Sequence, residues 1–191
     1  MSNNIERIER HLTEAGEVLL SSVELSGQIA EIAQVAIKSL RSGGTVFWCG
    51  NGGSAADSQH LAAELIGRYK LERKAISSIA LTTDSSILTA ISNDFGFEFV
   101  FSRQLEGLAR EGDVLVALTT SGNSESILNA VQKAKELKVS TVLFTSINYT
   151  GNQGDFVLKV GSTKTEQIQH AHIAIGHVIC ELIESSLSNA N

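Results

Sequence analysis

Trp48-Cys49-Gly50-Asn51-Gly52-Gly53-Ser54 decides the fold, because it joins a strand pattern to a helix pattern through glycines. Residues 45–49 form a short apolar run that is typical of a buried strand. Residues 55–69 have the periodicity of a helix. A glycine turn between a strand and a helix N-terminus directs several backbone N–H groups and the positive end of the helix dipole at one point. The stretch therefore predicts a binding seat for a phosphate or a sugar oxygen.

The predicted helix 55–69 also carries His60 and Glu64, which are four residues apart and therefore lie on one face. On that face an imidazole and a carboxylate can share a metal ion or a proton. The same spacing is common on a solvated helix face, so the pair needs support from a second region. Asp57 either orients His60 or is an ordinary carboxylate of the first helical turn. Arg68 meets either a carboxylate of a neighbouring helix or the substrate, and we favour the structural role.

The composition limits the function classes. With 191 residues, 42% hydrophobic and 19% charged, the chain suits one globular α/β domain with a sizeable core. Its net charge of -6 disfavours nucleic acid and anionic membranes as partners and leaves small molecules or proteins. Cys49 and Cys180 offer no disulfide framework and are expected to be buried thiols in a reducing compartment. Since no apolar run is long enough to span a bilayer, we expect a cytoplasmic protein without a membrane partner.

Two amphipathic helices are predicted before the first strand, over about 5–23 and 29–40. Helices in this position have little sheet to cover. We therefore expect them to pack on each other and on a second subunit, as the core of a dimer or tetramer. The predicted organisation is a single domain over residues 1–191, with oligomerisation helices in 1–41 and an α/β binding core in 42–191.

A second strand, turn and helix repeat the first arrangement. Residues 113–118 are the strongest strand pattern in the chain, and residues 125–137 have helical periodicity. Between them, Thr119-Thr120-Ser121-Gly122-Asn123-Ser124 brings four hydroxyl groups to a helix N-terminus. Ser124 alone is typical of a helix cap. The whole cluster, paired with the earlier turn, favours a phosphate site with side-chain as well as backbone donors.

The remaining pattern alternates strands and helices. It predicts an α/β fold in which a parallel sheet is covered by helices on both faces. Ligands of such folds gather beyond the carboxyl ends of the strands, where both polar turns lie. Further strands are expected at 76–81, 141–144 and 156–160, further helices at 85–91, 99–109 and 165–186, and a polar turn at 93–96.

The last predicted helix combines an apolar face with several polar rings in its first half. His170 and His177 are seven residues apart and share a face, whereas Gln169 and His177 are about 80° apart around the helix. Periodicity alone therefore nominates His170 as the partner of His177. One or two residues of this helix, with the earlier histidine and glutamate, would complete a metal shell of N and O ligands. His170 and His172, each taken alone, are more typical of a surface residue or a satisfied core residue.

In their order and spacing these motifs resemble the bacterial phosphoheptose isomerase family over nearly the whole chain. The similarity rests on Cys49-Gly-Asn-Gly-Gly-Ser54, His60-x3-Glu64 followed by Gly67-Arg68-Tyr69, Asn93-Asp-Phe-Gly96, Phe101-Ser-Arg103, Gly112-Asp-Val-Leu115, Thr120-Ser-Gly-Asn-Ser124 and Ile168-Gln169 with His177. The chain departs from the family pattern at 74–78, where prolines are usual, and at 147–154, which is shorter than expected. Both departures affect loops and leave the matched ligands intact.

The resemblance implies a SIS (sugar isomerase) fold, which is a three-layer, Rossmann-like or flavodoxin-like arrangement, here with an N-terminal helical pair. It implies a homotetramer with sites at the subunit borders. It also implies one zinc ion per subunit, held by His60, Glu64, Gln169 and His177. On this point the resemblance selects Gln169, whereas periodicity alone nominates His170. The implied substrate contacts are Asn51, Gly52, Gly53, Ser54, Glu64, Asn93, Asp94, Thr119, Thr120, Ser121, Ser124 and Gln169.

The implied reaction is the aldose–ketose isomerisation of the sugar phosphate sedoheptulose 7-phosphate to D-glycero-D-manno-heptose 7-phosphate, the first step towards ADP- or GDP-heptose precursors. It moves a proton between C1 and C2 through an enediolate, and needs a base, an acid and stabilisation of negative charge. Our hypothesis assigns the proton shuttle to Glu64 and the opposite face, or the O1 and O2 oxygens, to His177. Zinc or its polar shell would stabilise the enediolate. The alternatives are a non-catalytic SIS protein that binds a replication initiator and a phosphosugar sensor, which would not need His60, Glu64 and His177 together.

Overall fold

The computed structural model describes residues 2–188 and contains a five-stranded parallel sheet with helices on both faces. In chain order the elements are α1 (Ser2–Ser21), α2 (Ser26–Arg41), β1 (Val46–Gly50), α3 (Gly53–Ile66), β2 (Ser78–Ala80), α4 (Ser85–Asp94), α5 (Ser102–Leu108), β3 (Val114–Leu118), α6 (Glu125–Glu136), β4 (Ser140–Ser146), β5 (Phe156–Val160) and α7 (Thr165–Ser188). Short 3-10 helices at Ser22–Leu25 and Phe97–Phe99 lie between α1 and α2 and between α4 and α5. The predicted α/β class and the alternation of strands and helices are confirmed.

The sheet order β2-β1-β3-β4-β5 places a reversal of direction between β1 and β3. In open α/β sheets such a reversal creates a crevice at the carboxyl ends of the two strands, and ligands bind there. The parallel register pairs Gly50 with Leu118, the last residues of β1 and β3. The glycine turn after β1 and the hydroxyl-rich turn after β3 therefore leave the sheet side by side, as a shared binding site requires.

Alternating side chains of the strands fill two apolar layers, one on each face of the sheet. Trp48 and Val116 belong to the layer formed with α2, α3 and α7, whereas Phe47 and Leu115 belong to the layer formed with α5 and α6. Each fully buried large apolar side chain contributes roughly 1.5–3 kcal/mol to folding. The helices α3 and α7 are therefore fixed to the sheet, and to each other, by a continuous core.

Two boundaries near α3 differ from the sequence prediction. The helix ends at Ile66, three residues earlier than predicted, because Gly67 follows it and the next backbone N–H groups bond to the carboxylate of Glu184. β2 is shorter than predicted, because the N–H of Ile76 bonds to the carbonyl oxygen of Leu65 instead of joining the sheet. In both cases a tertiary hydrogen bond, which local periodicity does not report, decides where the element ends.

The polar turn predicted at 93–96 is wrong in its first half. Asn93 and Asp94 form the last turn of α4, and the chain changes direction only at Gly96, whose φ of +106° is readily accessible to glycine. The helix predicted at 99–109 is also too long. α5 begins only at Ser102, after the 3-10 helix.

α1 and α2 are helical as predicted, but the expected packing is wrong in part: both helices pack mainly on α7 rather than on each other, and α2 also covers the sheet. α1 leaves apolar side chains exposed. Ile8, Leu12 and Leu20 are 57%, 65% and 74% exposed. Although α1 exposes these residues, none of the helices within residues 2–188 has the length and apolar character that crossing a membrane requires. The subunit contacts and the domain limits stay predictions, and the predicted limits at residues 1 and 191 lie outside the described residues.

Candidate active site

Three side chains from two helices converge on one point: His60 and Glu64 of α3 and His177 of α7. The Nε2 atoms of His60 and His177 are 2.8 Å apart, and His60 Nε2 lies 3.1 Å from Glu64 Oε1. All three ligand atoms lie within 4.8 Å of one another. The helices can approach because Gly176 of α7 has no side chain: a Cβ there would lie 2.4 Å from Leu61 Cδ1.

The ring of His177 is held between aromatic neighbours. It stacks on Tyr69, with 5.5 Å between the ring centroids and 13° between the planes, and it meets His60 edge-on. Burial lowers the pKa of His177 below its ordinary value; the neighbouring His60 adds to this effect, and Glu64 partly offsets it. His177 therefore favours the neutral form, which can ligate a metal ion or accept a proton.

The donor set of His60, Glu64 and His177 fits a divalent metal ion. Two imidazole nitrogens and a carboxylate oxygen form the protein shell of catalytic sites that keep a fourth position open. Two ring nitrogens bound tetrahedrally at their usual bond lengths lie about 3.3 Å apart, so the two histidines need to separate by only about 0.5 Å. Without a metal, the same contact is a hydrogen bond in which one Nε2–H donates to the other ring, and the group is then a proton relay.

The glycine turn after β1 has the geometry of an anion seat. Gly52 adopts a φ of +57°, and α3 begins at the next residue, Gly53. Ser54 is buried. The side-chain amide of Asn51 donates to Ser126 Oγ at 2.9 Å and ties this turn to the first turn of α6. The N–H groups of Ser54, Ala55 and Ala56 bond within the turn, whereas those of Gly52 and Gly53 have no partner in the part of the chain that the structure describes. These two N–H groups therefore lie beside the second polar turn, where they can bind an anion.

Gln169 lies at the start of α3, away from the three converging side chains. A Cβ on Gly53 would lie 2.4 Å from Gln169 Nε2, so the glycine leaves the space that this amide fills. Gly53 precedes His60 by seven residues, which is about 10 Å along the helix. In this position Gln169 can contact a ligand at the glycine turn, and its place in a metal shell stays a prediction. His170, which periodicity nominated, is exposed.

The hydroxyl-rich turn after β3 is ordered by its own hydrogen bonds. Thr119 Oγ1 accepts from the N–H of Gly122 at 3.2 Å, and Ser121 Oγ accepts from the N–H of Asn123 at 3.2 Å. Ser124 is the N-cap of α6 by position, yet within residues 2–188 its hydroxyl makes no capping hydrogen bond and lies 3.4 Å from Thr119 Oγ1. The Ser124 side chain therefore does not act as the cap, and it can serve a ligand instead.

Tyr149 supports this turn, although nothing in the sequence singled it out. Its buried ring packs against Gly122, where a Cβ would lie 2.3 Å from Tyr149 Cδ2. Gly151 packs against the other end of the ring: a Cβ on Gly151 would lie 2.5 Å from the hydroxyl oxygen of Tyr149. The segment 147–154, where the chain departs from the family pattern, thus holds the hydroxyl-rich turn in place. Thr120 is half-buried in the same turn.

Asn93 and Asp94 lie at the far end of α4. Asn93 Nδ2 donates to Asp94 Oδ1 at 2.7 Å, and both residues are exposed. The helix starts just beyond β2 and has 10 residues. Its last turn therefore lies roughly 15 Å along the helix from the start of α4. Within residues 2–188 neither side chain forms a hydrogen bond with the two polar turns, and their role as substrate contacts stays a prediction.

The remaining polar candidates lie outside the converging group of His60, Glu64 and His177. Within residues 2–188 Asp57 makes no hydrogen bond to His60; its Oδ2 is buried without a partner, and burial raises its pKa. His172 is a core residue whose Nε2 lies 3.1 Å from the carbonyl oxygen of Thr145, whereas its Nδ1 is buried without a partner in the described chain. Arg68 is exposed.

Sequence analysis missed Tyr69, Arg73 and Glu184, which fix the loop after α3. The sequence contains one signal for Glu184: this carboxylate lies four residues after Cys180, on the apolar face of the last helix. A carboxylate in that position needs a partner. Arg73 supplies it, with Nε 3.1 Å from Glu184 Oε1.

Comparisons with known proteins agree with this geometry. Residues 11–146 match the family model of the SIS domain. A phosphoheptose isomerase of Akkermansia muciniphila is 50% identical over 167 residues, which cover 85% of this chain and 87% of that protein. A phosphoheptose isomerase of Aquifex aeolicus is 46% identical over 94% of this chain and 96% of its own length. The structure of phosphoheptose isomerase GmhA from Neisseria gonorrhoeae has a TM-score of 0.88 and 38% identity, covering 94% of this chain and 98% of that chain. The chain therefore belongs to the SIS domain family and, within it, to the phosphoheptose isomerases.

Proposed function

We propose that the protein interconverts sedoheptulose 7-phosphate and D-glycero-D-manno-heptose 7-phosphate. The observation that carries this proposal is the convergence of His60, Glu64 and His177, with 2.8 Å between the two Nε2 atoms. Transfer of a proton between C1 and C2 needs an acid and a base within reach of adjacent atoms. A carboxylate and a neutral imidazole at one point supply both. The relatives that match most of the chain carry the name of this activity.

The site separates phosphate binding from proton transfer. The turns 51–54 and 119–124 offer helix N-termini and hydroxyl groups to the phosphate. The group of His60, Glu64 and His177 lies about 10 Å further along α3. A seven-carbon sugar carries C1 and C2 at the opposite end from its 7-phosphate. Binding of the phosphate therefore orients the reacting carbons and contributes remote binding energy.

Within this site Glu64 carries the proton between C1 and C2. Its Oε1 lies 3.1 Å from His60, which orients the carboxylate. His177 serves the opposite face of the substrate or the O1 and O2 oxygens, because its lowered pKa leaves it neutral and able to accept a proton. The stacked ring of Tyr69 fixes the orientation of His177.

We also propose one zinc ion per subunit. The compact set of two nitrogens and one carboxylate oxygen supports His60, Glu64 and His177 as ligands. Gln169 is the proposed fourth ligand, and it would have to leave its place beside Gly53 or come from another copy. When bound, the ion supplies Lewis-acid stabilisation of the negative charge that develops on the substrate oxygens.

A homotetramer with sites at the subunit borders completes the proposal. The uncovered apolar residues of α1 support it, and so does a groove of about 260 Å³ between α1, α2 and α7. Val178 and Leu182 line this groove and are 46% and 40% exposed. Asn93 and Asp94, which are both exposed, are proposed as substrate contacts of such a border site.

The proposed setting is the cytoplasm, without a nucleic-acid partner. Cys49 and Cys180 are both free and buried, which suits a reducing compartment. The net charge of -6 disfavours binding to a phosphate backbone. The proposed partner is a small sugar phosphate.

Incubation of the purified protein with sedoheptulose 7-phosphate tests the activity. We expect formation of the heptose 7-phosphate, loss of turnover with EDTA, and recovery when zinc is added. Glu64→Gln and His177→Ala should lower kcat at least 100-fold, because general acid–base groups contribute about 10²–10⁴-fold. The matched control is Glu181→Gln, which alters an exposed carboxylate of α7 and should leave kcat unchanged.

A binding role, either as a partner of a replication initiator or as a phosphosugar sensor, predicts a different result. Such a protein needs the polar turns but has no use for an acid and a base at one point. It would bind sedoheptulose 7-phosphate without turnover, and Glu64→Gln and His177→Ala would bind it as well as wild type. That outcome would reject the isomerase proposal.

A further inference from the structure

The loop between α3 and β2 is tied to α7 by two charged side chains that are almost completely buried. The side chains of Arg73 and Glu184 are 5% and 1% exposed, and Arg73 Nε lies 3.1 Å from Glu184 Oε1. A buried ion pair is weak evidence for stability by itself, because apolar side chains of similar size often serve as well. The position of this pair therefore needs another explanation.

Glu184 binds the backbone of the loop. Its Oε1 accepts from the N–H of Tyr69 at 2.9 Å, and its Oε2 accepts from the N–H groups of Lys70 at 2.7 Å and Leu71 at 3.0 Å. Burial raises the pKa of Glu184, but the three backbone N–H groups and Arg73 outweigh it and hold this pKa below its ordinary value. The carboxylate is therefore charged and fixes three consecutive residues.

Arg73 binds the end of α3. Its guanidinium donates to the carbonyl oxygens of Glu64 and Leu65 at 2.8 Å each, and to those of Gly67 and Lys74 at 3.1 Å each. The last carbonyl groups of a helix have no partner within the helix. Arg73 thus closes the turn that carries the carboxylate of Glu64.

Both residues act next to the converging group. Arg73 holds the backbone of Glu64, and Glu184 holds the backbone of Tyr69. The ring of Tyr69 in turn stacks on His177 at 5.5 Å. One ion pair therefore connects to the proposed metal ligands of both helices, His177 through a stacking contact and Glu64 through its own peptide group.

We propose that Arg73 and Glu184 are positioning residues of the isomerase site, which keep Glu64 and, through Tyr69, His177 in the geometry that binds the metal ion and transfers the proton. The inference deepens the proposed function and rests on it. Both side chains are almost completely buried, so we expect neither to touch the substrate. Their effect is on the spacing of the groups that do.

Glu184→Gln and Tyr69→Leu test the proposal at the two ends of the connection. The amide introduced by Glu184→Gln is the wrong partner, because its NH2 group would face backbone donors; the leucine removes the stacked ring. For both variants we expect kcat to fall 10–100-fold and zinc affinity, measured by competition with a chromogenic chelator, to weaken 10–100-fold, as is typical when a group that orients metal ligands is lost. KM should change less than threefold, because the phosphate turns are remote.

Two matched variants provide controls. Glu181 lies on the same helix and bonds to Lys70 of the same loop at 2.7 Å, but it is 45% exposed. Glu181→Gln should therefore leave kcat and zinc affinity unchanged. Tyr69→Phe keeps the stacked ring, so it should recover most of what Tyr69→Leu loses.

Folding is checked by circular dichroism and by mass in solution. If Glu184→Gln does not fold, Tyr69→Leu decides, since its side chain is only half-buried. Folded variants with kcat and zinc affinity within twofold of wild type would overturn the proposal. The zinc measurement separates the two claims: if wild type binds zinc but does not turn over sedoheptulose 7-phosphate, the isomerase function fails while the positioning role is still tested by affinity.

Discussion

Gly53 shows at the scale of one residue that the site depends on an absent side chain. Its place in the first turn of α3 would accept an alanine without backbone strain, but the added Cβ would displace the amide of Gln169. We expect Gly53→Ala to raise KM for the sugar phosphate about tenfold, the equivalent of one lost hydrogen bond. The free energy of unfolding should stay equal or rise by up to about 1 kcal/mol. Steady-state kinetics and urea unfolding measure the two effects.

The control for Gly53→Ala is Gly107→Ala in α5, where a Cβ meets no atom within 4 Å. It should leave KM unchanged and raise stability slightly. An unaltered KM in Gly53→Ala would mean that Gln169 does not contribute to the site from this position.

His172 predicts a pH dependence of stability. Burial lowers its pKa from 6.5 to about 4, although a hydrogen bond to the carbonyl oxygen of Thr145 acts in the opposite direction. Above pH 6.5 neither folded nor unfolded protein is protonated at this residue, so stability is complete. Between pH 6.5 and 4 only the unfolded chain takes up the proton, and stability falls by about 1.4 kcal/mol per pH unit, to a total on the order of 3 kcal/mol.

Urea unfolding of wild type and His172→Gln between pH 7.5 and 4.5 isolates this effect. The other ionisable groups titrate in both proteins, so the difference between the two curves reports His172. We expect wild type to lose stability more steeply than the variant below pH 6.5. Parallel curves would contradict the assignment.

At the residue scale, site residues could be predicted from the sequence where they lie on one face of a single helix. His60 and Glu64 are on one face because of helical periodicity, and the structure joins them to His177. The place of Gln169 could not be derived, because it depends on a gap left by Gly53 on another helix. The role of Tyr69 likewise depends on a contact between distant segments. The spacing of the last helix marks Glu184 as a carboxylate that needs a partner, but it does not identify Arg73 as that partner.

At the scale of elements, the turn after β3 depends on the segment 147–154 beneath it. Gly122 combines a φ of +73° with a Cβ position only 2.3 Å from the ring of Tyr149. We expect Gly122→Ala to raise KM for the sugar phosphate at least tenfold, because the turn must move off its support. Backbone strain should also cost about 1–3 kcal/mol of stability.

Gly112→Ala separates these two effects. Gly112 has a φ of +92°, but a Cβ there would meet no atom within 4 Å. It should lose a similar amount of stability with KM unchanged. Equal KM values for both variants would show that the support from Tyr149 is not needed for binding.

The helices and strands themselves could be predicted, because local sequence patterns mark each of them. Glycines and hydroxyl residues follow β1 and β3, and an apolar run marks each strand. Their ends were less predictable. α3 stops at Ile66 because Glu184, more than a hundred residues later, binds the following N–H groups.

At the scale of the whole molecule, α1 buries Val18 in the core but leaves much of its apolar face exposed within the described chain. Leu12 is 65% exposed and Ile8 57%. If this face is a subunit contact, Leu12→Glu should convert an assembly of about 82 kDa, four times 20.4 kDa, into smaller species. Light scattering coupled to gel filtration measures the mass. The control, Leu108→Glu, alters an equally apolar residue of α5, 49% exposed, and should leave the mass unchanged.

Ser124 stands at the start of α6 without using its hydroxyl on the helix, so the N–H groups of Glu125 and Ser126 have no hydrogen-bond partner within residues 2–188. A sugar phosphate that accepts those amide hydrogens would complete the helix from outside. Deuterium uptake at residues 125 and 126 should then slow when the ligand is added, and the melting temperature should rise with ligand concentration. The bound substrate would thus stabilise the first turn of α6.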